Sequence, residues 1–502
     1  MTPRKPYVFA LLGLSAILCC GSAPAQSNRN NSVDNPYAGS VQAAPATPEV
    51  RKLSLDDAIR LGIENNLALT LARLNQESAA AQRLQLVNAL LPNLSAHAEN
   101  GVHEINLRAA GFSTSLLPEF GVPPAEAAHF PYITRVTSTV GQVNFSQALF
   151  TLAGWDVWKA AQANERAAYY NAQSSRGLVV LNVGTTYLQA LADSAQVDYA
   201  AALLKTDETL LFQAREKHKA GTAANLDELR ARVQYQAQQL ALIQAENTFK
   251  KDKIALNREI GLAPEQEIQL TDAAPYSDLA AITIEDARRE AYASRQDYQQ
   301  IKQQIEAARL ERRAAKHERF PSITFRGNYG VTGVTGGIYH GTFSAMGQLS
   351  VPIFEEAKFR GDRDVADAQL EELHSELNDL TNKIDQQLRD SLLDLQTDAE
   401  LVRVSRSNLE LAAKTLEQTT DRFQAGVDDN LPVVQAQSTL AQAQSQYVRN
   451  LHQFNQAKLG LARNLGIVDT QYKNYIPTGT GTPTGTPPSA PKTSGQQPQG
   501  GR

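Results

Sequence analysis

A mainly helical chain carrying two membrane β-hairpins, built from one unit used twice, is the fold class the sequence predicts. Three observations predict it. Short segments recur at nearly constant offsets, two proline-free runs approach 70 residues, and the stretches before those runs alternate between apolar and polar residues.

The recurrence comes first, because it fixes the architecture. "LSLDDAIR" (53–60) is matched by "ITIEDARR" (282–289), and "LLPNLSA" (90–96) by "RFPSITF" (319–325), both at an offset of 229. Farther on, "QALF" ending at Phe150 is matched by "VPIF" ending at Phe354, while Gly221 pairs with Gly426 and Gly261 with Gly466, at offsets of 204 and 205. The first copy therefore holds about 25 extra residues between Pro92 and Phe150. The expected units are 51–270 and 271–470.

The elements follow in order. Arg4 and Lys5 precede an apolar run from Tyr7 to Leu18 and an Ala23-Pro24-Ala25 site, the pattern of a secretory signal peptide over residues 1–25. Both cysteines, Cys19 and Cys20, lie inside it, so cleavage would leave no thiol chemistry. Acylation at one of them is the competing reading, but neither is preceded by a good lipobox. Residues 26–50 read as a flexible N-terminal segment and 471–502 as a disordered Pro/Gly/Thr-rich tail.

Within each unit a helix of about 36 residues is expected (Leu55–Leu90; Ile284–Arg319), stopped by Pro92 or Pro321. A β-hairpin follows, over about 93–148 and about 322–353. In the second, Ile323, Phe325, Tyr329 and Val331 share one phase and Thr324, Arg326 and Asn328 the other; Phe343, Ala345, Leu349, Val351 and Ile353 alternate likewise. Then comes a run of about 70 residues, ~105 Å of helix at ~1.5 Å per residue, a tip at 220–227 or 425–431, and a shorter helix.

Alternating strands of this length suit an outer membrane. Two hairpins give only four strands, however, and an open sheet leaves unpaired backbone groups in lipid. Several chains must then share one barrel. Phe150, Trp155, Trp158, Phe354 and Phe359, where strand becomes helix, suit an aromatic belt at the membrane interface, with helix-start packing as the plain alternative.

The formal charge of −5 comes with no basic block, which argues against nucleic acid as a partner. The eight histidines are scattered without metal-ligand spacing, so no catalytic, metal or cofactor-binding residues are assigned. Asp362 and Asp364 read as helix-dipole charges.

"LSLDDAIRLGIENN" (53–66), "LLPNLSA" and "RFQAGVDDNLPVVQAQSTLAQAQ" (422–444) resemble the TolC-like outer membrane efflux proteins, over about residues 50–470. The resemblance implies a homotrimer. Four strands per chain would form a 12-stranded β-barrel, continued by a long periplasmic α-helical coiled-coil barrel. It implies an exit duct passing small molecules from a periplasmic adaptor and an inner-membrane pump of the resistance-nodulation-division or ABC type, or alternatively the outer membrane component of type I protein secretion. A secreted coiled-coil scaffold without a pore is the alternative from another class.

The resemblance also places adaptor-facing tips at Gly221, Thr222, Leu226, Phe423, Gly426, Val427 and Leu431. Phe423 fits the aromatic the family favours three residues before the tip glycine, where the first copy has His218. Asp227 fits the acid expected after the bend, where the second copy has Pro432. Asp227, Asp428 and Asp429 are the expected acids of a periplasmic aperture; helix capping is the plain reading, with Asn225 and Glu228 as an N-x-x-E cap and Asn430 as the second cap. Gly221 and Gly426 suit a positive φ or a close helix approach.

Overall fold

The computed structural model describes residues 35–41, 45–109, 119, 121, 123–127, 131–222, 224–272, 276, 277, 279 and 282–476. The expected signal peptide with Cys19 and Cys20 and the low-complexity end beyond Ile476 lie outside these residues, as does most of the enlarged first loop.

From Pro36 onward the chain forms one unit. After a 3-10 turn at Pro36–Ala38 come β1 (Arg51–Leu53), α1 (Leu55–Asn65), α2 (Leu67–Asn88), β2 (Asn93–Asn106), α3 (Pro124–Ala127) and β3 (Ile133–Phe150). The 68-residue α4 (Leu152–Lys219) and α5 (Asn225–Ile260) follow, then β4 (Ile268–Leu270). The second half reads α6 (Ile284–Ser294), α7 (Gln296–His317), β5 (Ser322–Val334), β6 (Tyr339–Ser350), α8 (Glu356–Gln424), α9 (Leu431–Leu465) and α10 (Val468–Tyr475).

The expected single helices before each hairpin are instead broken pairs. At Asn66 the backbone becomes extended (φ −67°, ψ 132°), and at Arg295, 229 positions later, it does the same (φ −67°, ψ 121°). The Asn66 carboxamide accepts from the N–H groups of Ala68 and Leu69 and donates to Tyr37 O, so it caps the next helix while bonding the N-terminal segment. Arg295 is held by Asp297 and Gln387, and Gly466 (φ +81°) fits so close to it that a Cβ there would lie 2.6 Å from its backbone nitrogen.

The two segments expected to be flexible are docked in part. Thr47 donates to Gln266, and Ser40 bridges to Asn66. At the other end α10 packs on α9, and Ile476 is buried in the main core with Leu53, Val183, Tyr187 and Leu256. Burial of these apolar groups orders stretches that composition alone reads as loose. The Tyr187 hydroxyl ties the core together, donating to Asp272 at 2.7 Å with Leu53 O 3.1 Å away.

The membrane-type strands form one antiparallel sheet in the order β2-β3-β5-β6. Its register puts like with like. Ala96, Val143, Tyr329 and Phe343 stand opposite one another across all four strands, and the adjacent rank is Ser95, Asn144, Asn328 and Ser344. Every member of the apolar rank is exposed, Tyr329 at 70% and Phe343 at 74%, whereas in the polar rank the two central residues, Asn144 and Asn328, are half-buried. The helices repeat the strand order. Nearer the sheet α2 packs on α4, α4 on α7 and α7 on α8; nearer the turns α5 packs on α4, α4 on α9 and α9 on α8. No described helix is long and apolar enough to cross a membrane.

Candidate functional site

The two turns at 220–224 and 425–430 are built by one backbone device. In the first, Gly221 N–H donates to His218 O and Thr222 N–H to Lys217 O; in the second, Gly426 N–H donates to Phe423 O and Val427 N–H to Arg422 O. This is the paired bonding of a Schellman stop, which needs a left-handed residue after the helix cap. Gly221 (φ +73°) and Gly426 (φ +71°) supply it. A Cβ on either would meet nothing within 4 Å, so the positive φ, and not a close helix approach, is what selects glycine.

The side chains behind the turns differ. Phe423 is 4% exposed, packed with Leu210 and Val433. It therefore does not face outward, which corrects its place among the adaptor-facing residues: its ring fills the space where α4, α8 and α9 converge. Lys217 crosses from the first turn to the second, donating to Phe423 O at 2.9 Å and lying 4.0 Å from the ring centre. Gly221, Thr222, Leu226, Gly426, Val427 and Leu431 are exposed.

Neither expected cap forms. Asn225 is already the first residue of α5, behind Ala224, and Glu228 turns back to His218 (2.7 Å) and Arg215 (3.4 Å) instead of closing a capping box. The His218 bond, aided by Arg215, lowers the Glu228 pKa. Asn430 spends its amide on Asp227 O at 2.9 Å, joining the two turns, while Asp429 accepts from the N–H of Leu431.

The three aspartates are partnered. Asp428 accepts from Arg422 at 2.6 Å, a bond that holds its carboxyl below the usual carboxylate range. Arg230 stands between Asp227 (3.7 Å) and Asp429 (3.9 Å). Sequence reasoning missed Arg230, Arg422 and Lys217, since basic residues on a helix carry no sign of which turn they will reach.

At the other end of the long helices the aromatics divide. Phe354 is 93% exposed, and Phe150 and Trp155 are exposed as well. Trp158 is half-buried against Trp155, ring centres 4.9 Å apart. Phe359 is 7% exposed, between the cations of Arg319 and Lys358, so it packs inside the chain and is corrected out of the belt. Nearby, Asp156 is buried and accepts from Arg313 and pairs with His317 at 2.6 Å. Asp362 and Asp364 are ion-paired along their helix. No group of metal-ligating side chains occurs among the described residues.

A four-stranded sheet set on helices of this length defines the class of outer membrane channels with a periplasmic helical part. The fold matches that of the CmeC outer membrane channel of Campylobacter jejuni (TM-score 0.69, 15% identity, 88% of this chain and 93% of that one). By sequence the chain is 27% identical over 335 residues to the pyoverdine export outer membrane protein OpmQ of Pseudomonas aeruginosa, covering 64% of this chain and 70% of that one. It is 24% identical over 396 residues to the toluene efflux pump outer membrane protein TtgF of Pseudomonas putida, covering 78% of each. The outer membrane efflux protein pattern matches residues 58–262 and 287–467, and the chain belongs to that family. It is an outer membrane efflux channel protein, not an enzyme, and the scaffold alternative is thereby set aside.

Proposed function

We propose that the chain is one third of a homotrimeric exit duct, the outer membrane part of a tripartite efflux system. One observation carries this reading: every layer of the chain is left open at the same two edges. Among the described residues β2 pairs only with β3 and β6 only with β5. Half of the 14 residues of β2 thus turn their N–H and C=O groups outward. Each such group left unpaired in lipid costs several kcal/mol. Among the helices, α2 and α5 lie beneath the β2 edge and α8 beneath the β6 edge.

Those helices carry unpartnered apolar seams. Leu229, Val233, Leu240 and Ile243 are exposed along α5, and Leu393, Leu401, Val404 and Leu411 along α8. A second copy brings a β6 edge to a β2 edge and an α8 seam to an α5 seam. Such a heterologous contact closes as a ring when its rotation is one third of a turn. Three copies supply 12 strands, and the exposed rank through Tyr329 and Phe343 becomes the lipid face. The two stretches matched by the family pattern support the two-repeat reading.

In this reading the turns are the periplasmic end. Gly221, Thr222, Leu226, Gly426, Val427 and Leu431 face an adaptor joined to an inner-membrane pump of the resistance-nodulation-division or ABC type. Asp227, Asp428 and Asp429 line the aperture. Named relatives that export pyoverdine and toluene support small-molecule efflux over protein secretion. Native mass spectrometry of the detergent-extracted protein is expected to give the trimer mass, and cells lacking the gene to accumulate small apolar dyes until it is restored. A monomer mass from intact outer membranes sinks the ring.

A further inference from the structure

Asp207 occupies a seam of α4 whose other members, Ala200, Leu203, Leu210 and Ala214, are buried at spacings of three and four. An acid at such a position is an anomaly, since an ionised carboxylate inside a helix junction loses its hydration. Its counterpart in the second half, 205 positions on, is the buried Ala412. Asp207 is 2% exposed, and neither carboxyl oxygen makes a well-formed hydrogen bond among the described residues, the Gln234 side chain acting on it only weakly.

The carboxyl opens on a cavity of about 10 Å³, bounded also by Leu210, Gln234, Phe423, Asn430, Val433 and Gln437. That is room for about one water. Two further buried atoms on this cavity's lining residues lack partners, Asn430 Oδ1 and Gln437 Nε2. One orphan acceptor, one orphan donor and an unpaired carboxyl thus share a single small polar space between α4, α5, α8 and α9.

We infer that Asp207 is a proton-binding site that latches the two turns together: protonated, it seats α4 and α5 against α9, and ionised, it loosens that packing. A neutral carboxyl can donate one hydrogen bond and accept another, so a single water can join it to Asn430 and Gln437. On ionisation the O–H proton leaves to solvent. The carboxylate left behind is hydrated only if α9 moves away, and Asn430, which ties the turns through Asp227 O, lies on the path of that movement.

Burial pushes the Asp207 carboxyl up to about 7, and Gln234 offsets this only in part. The sign follows by linkage. A group whose pKa is raised in the packed form binds its proton more tightly there, so acid favours packing and alkali favours release. No other residue lining the cavity is charged or titratable. Three cations near the turns are engaged elsewhere: Lys217 of α4 with Phe423, Arg230 of α5 with Asp227 and Asp429, and Arg422 of α8 with Asp428. His218, the histidine of the first turn, pairs with Glu228 and is carried as a control.

The proton site itself stands on this geometry; only its effect on opening rests on reading the turns as the periplasmic end. The test uses the full-length protein in lipid nanodiscs. Burial also raises Glu259 and Asp252 to about 7, so infrared difference spectra between about pH 5 and about pH 8 are expected to show one more protonated carboxyl lost in the wild type and in His218→Gln than in Asp207→Asn. Hydrogen exchange at 207–240 and 425–440, relative to Asp207→Asn at the same pH, is expected to rise by one to two orders of magnitude over that range. Asp207→Leu, which completes the apolar seam, is expected to be slow and equally pH-insensitive, and serves if the asparagine variant does not assemble. Carboxyl loss of equal size in wild type and Asp207→Asn, or parallel exchange profiles, overturns the site. Normal titration with pH-independent conductance in planar bilayers overturns the coupling to opening, whereas a chain without any conductance overturns the duct and leaves the proton site intact.

Discussion

The first and second turns stop their helices with the same two backbone bonds, yet the space behind each is filled by opposite chemistry. Behind the second lies Phe423, an apolar plug sealed by Leu210 and Val433. The matching place in the first is His218, half-exposed and bound to Glu228. Moreover, the contacts between the turns are not reciprocal. Lys217 leans from the first onto the ring and carbonyl of Phe423, and Asn430 reaches back for the backbone of Asp227. The glycine fixes the shape of a turn; the buried residue behind it decides which turn anchors the other.

Removing the plug should therefore have the largest effect. Truncating a buried Phe costs about 3–5 kcal/mol, and the loss in Phe423→Ala is expected to fall on both turns, because Lys217 loses its seat as well. His218→Ala, which deletes a half-exposed partner, should have an effect several-fold smaller and confined to the first turn. Hydrogen exchange of peptides covering 205–232 and 415–440 measures both. Equal losses for the two variants would mean that the turns are supported alike and that the asymmetry has no energetic content.

Much of this arrangement was legible in the sequence, for a physical reason in each case. Gly221 and Gly426 announce themselves because hardly any other residue adopts φ near +70° without strain. The strands were readable because a pleated sheet imposes period two on a surface wet on one side only. The burial of Phe423 was not readable: periodicity tells that a residue lies on a face but not which faces converge. The break at Asn66 had a usable signal, an asparagine directly before the apolar "LALTLA", whereas Arg295 offers none. Asp207 could have been found as an acid in a strict apolar seam. That observation becomes meaningful only once three other elements are seen to close around it.

A smaller and equal pair of effects tests the shared half of the comparison. A Cβ on Gly221 or Gly426 has open space, so Ala substitution pays only the left-handed backbone penalty, about 1–2 kcal/mol at each. Thermal unfolding of Gly221→Ala and Gly426→Ala should shift together. If Gly426→Ala is much the worse, then the second turn is constrained by something beyond its φ, and the common backbone device is not the whole account of its shape.

The smallest effects separate the three aspartates, none of which has an acidic counterpart in the other repeat. Asp428 is matched by Arg422 and held below the usual carboxylate range. A lowered pKa means that its ion pair is complete above that range and is lost only as pH falls below it. Asp428 should thus be silent between about pH 5 and pH 8, and Asp428→Asn should exchange one neutral pair for one free arginine. Asp429 is the most exposed of the three and stands 3.9 Å from an arginine that Asp227 already shares. If these acids line the aperture, cation selectivity in planar bilayers should fall most in Asp429→Asn, less in Asp227→Asn, and should tend toward anions in Asp428→Asn through the released Arg422. Unchanged selectivity in all three would take the acids out of the ion path and leave them as ties between the turns.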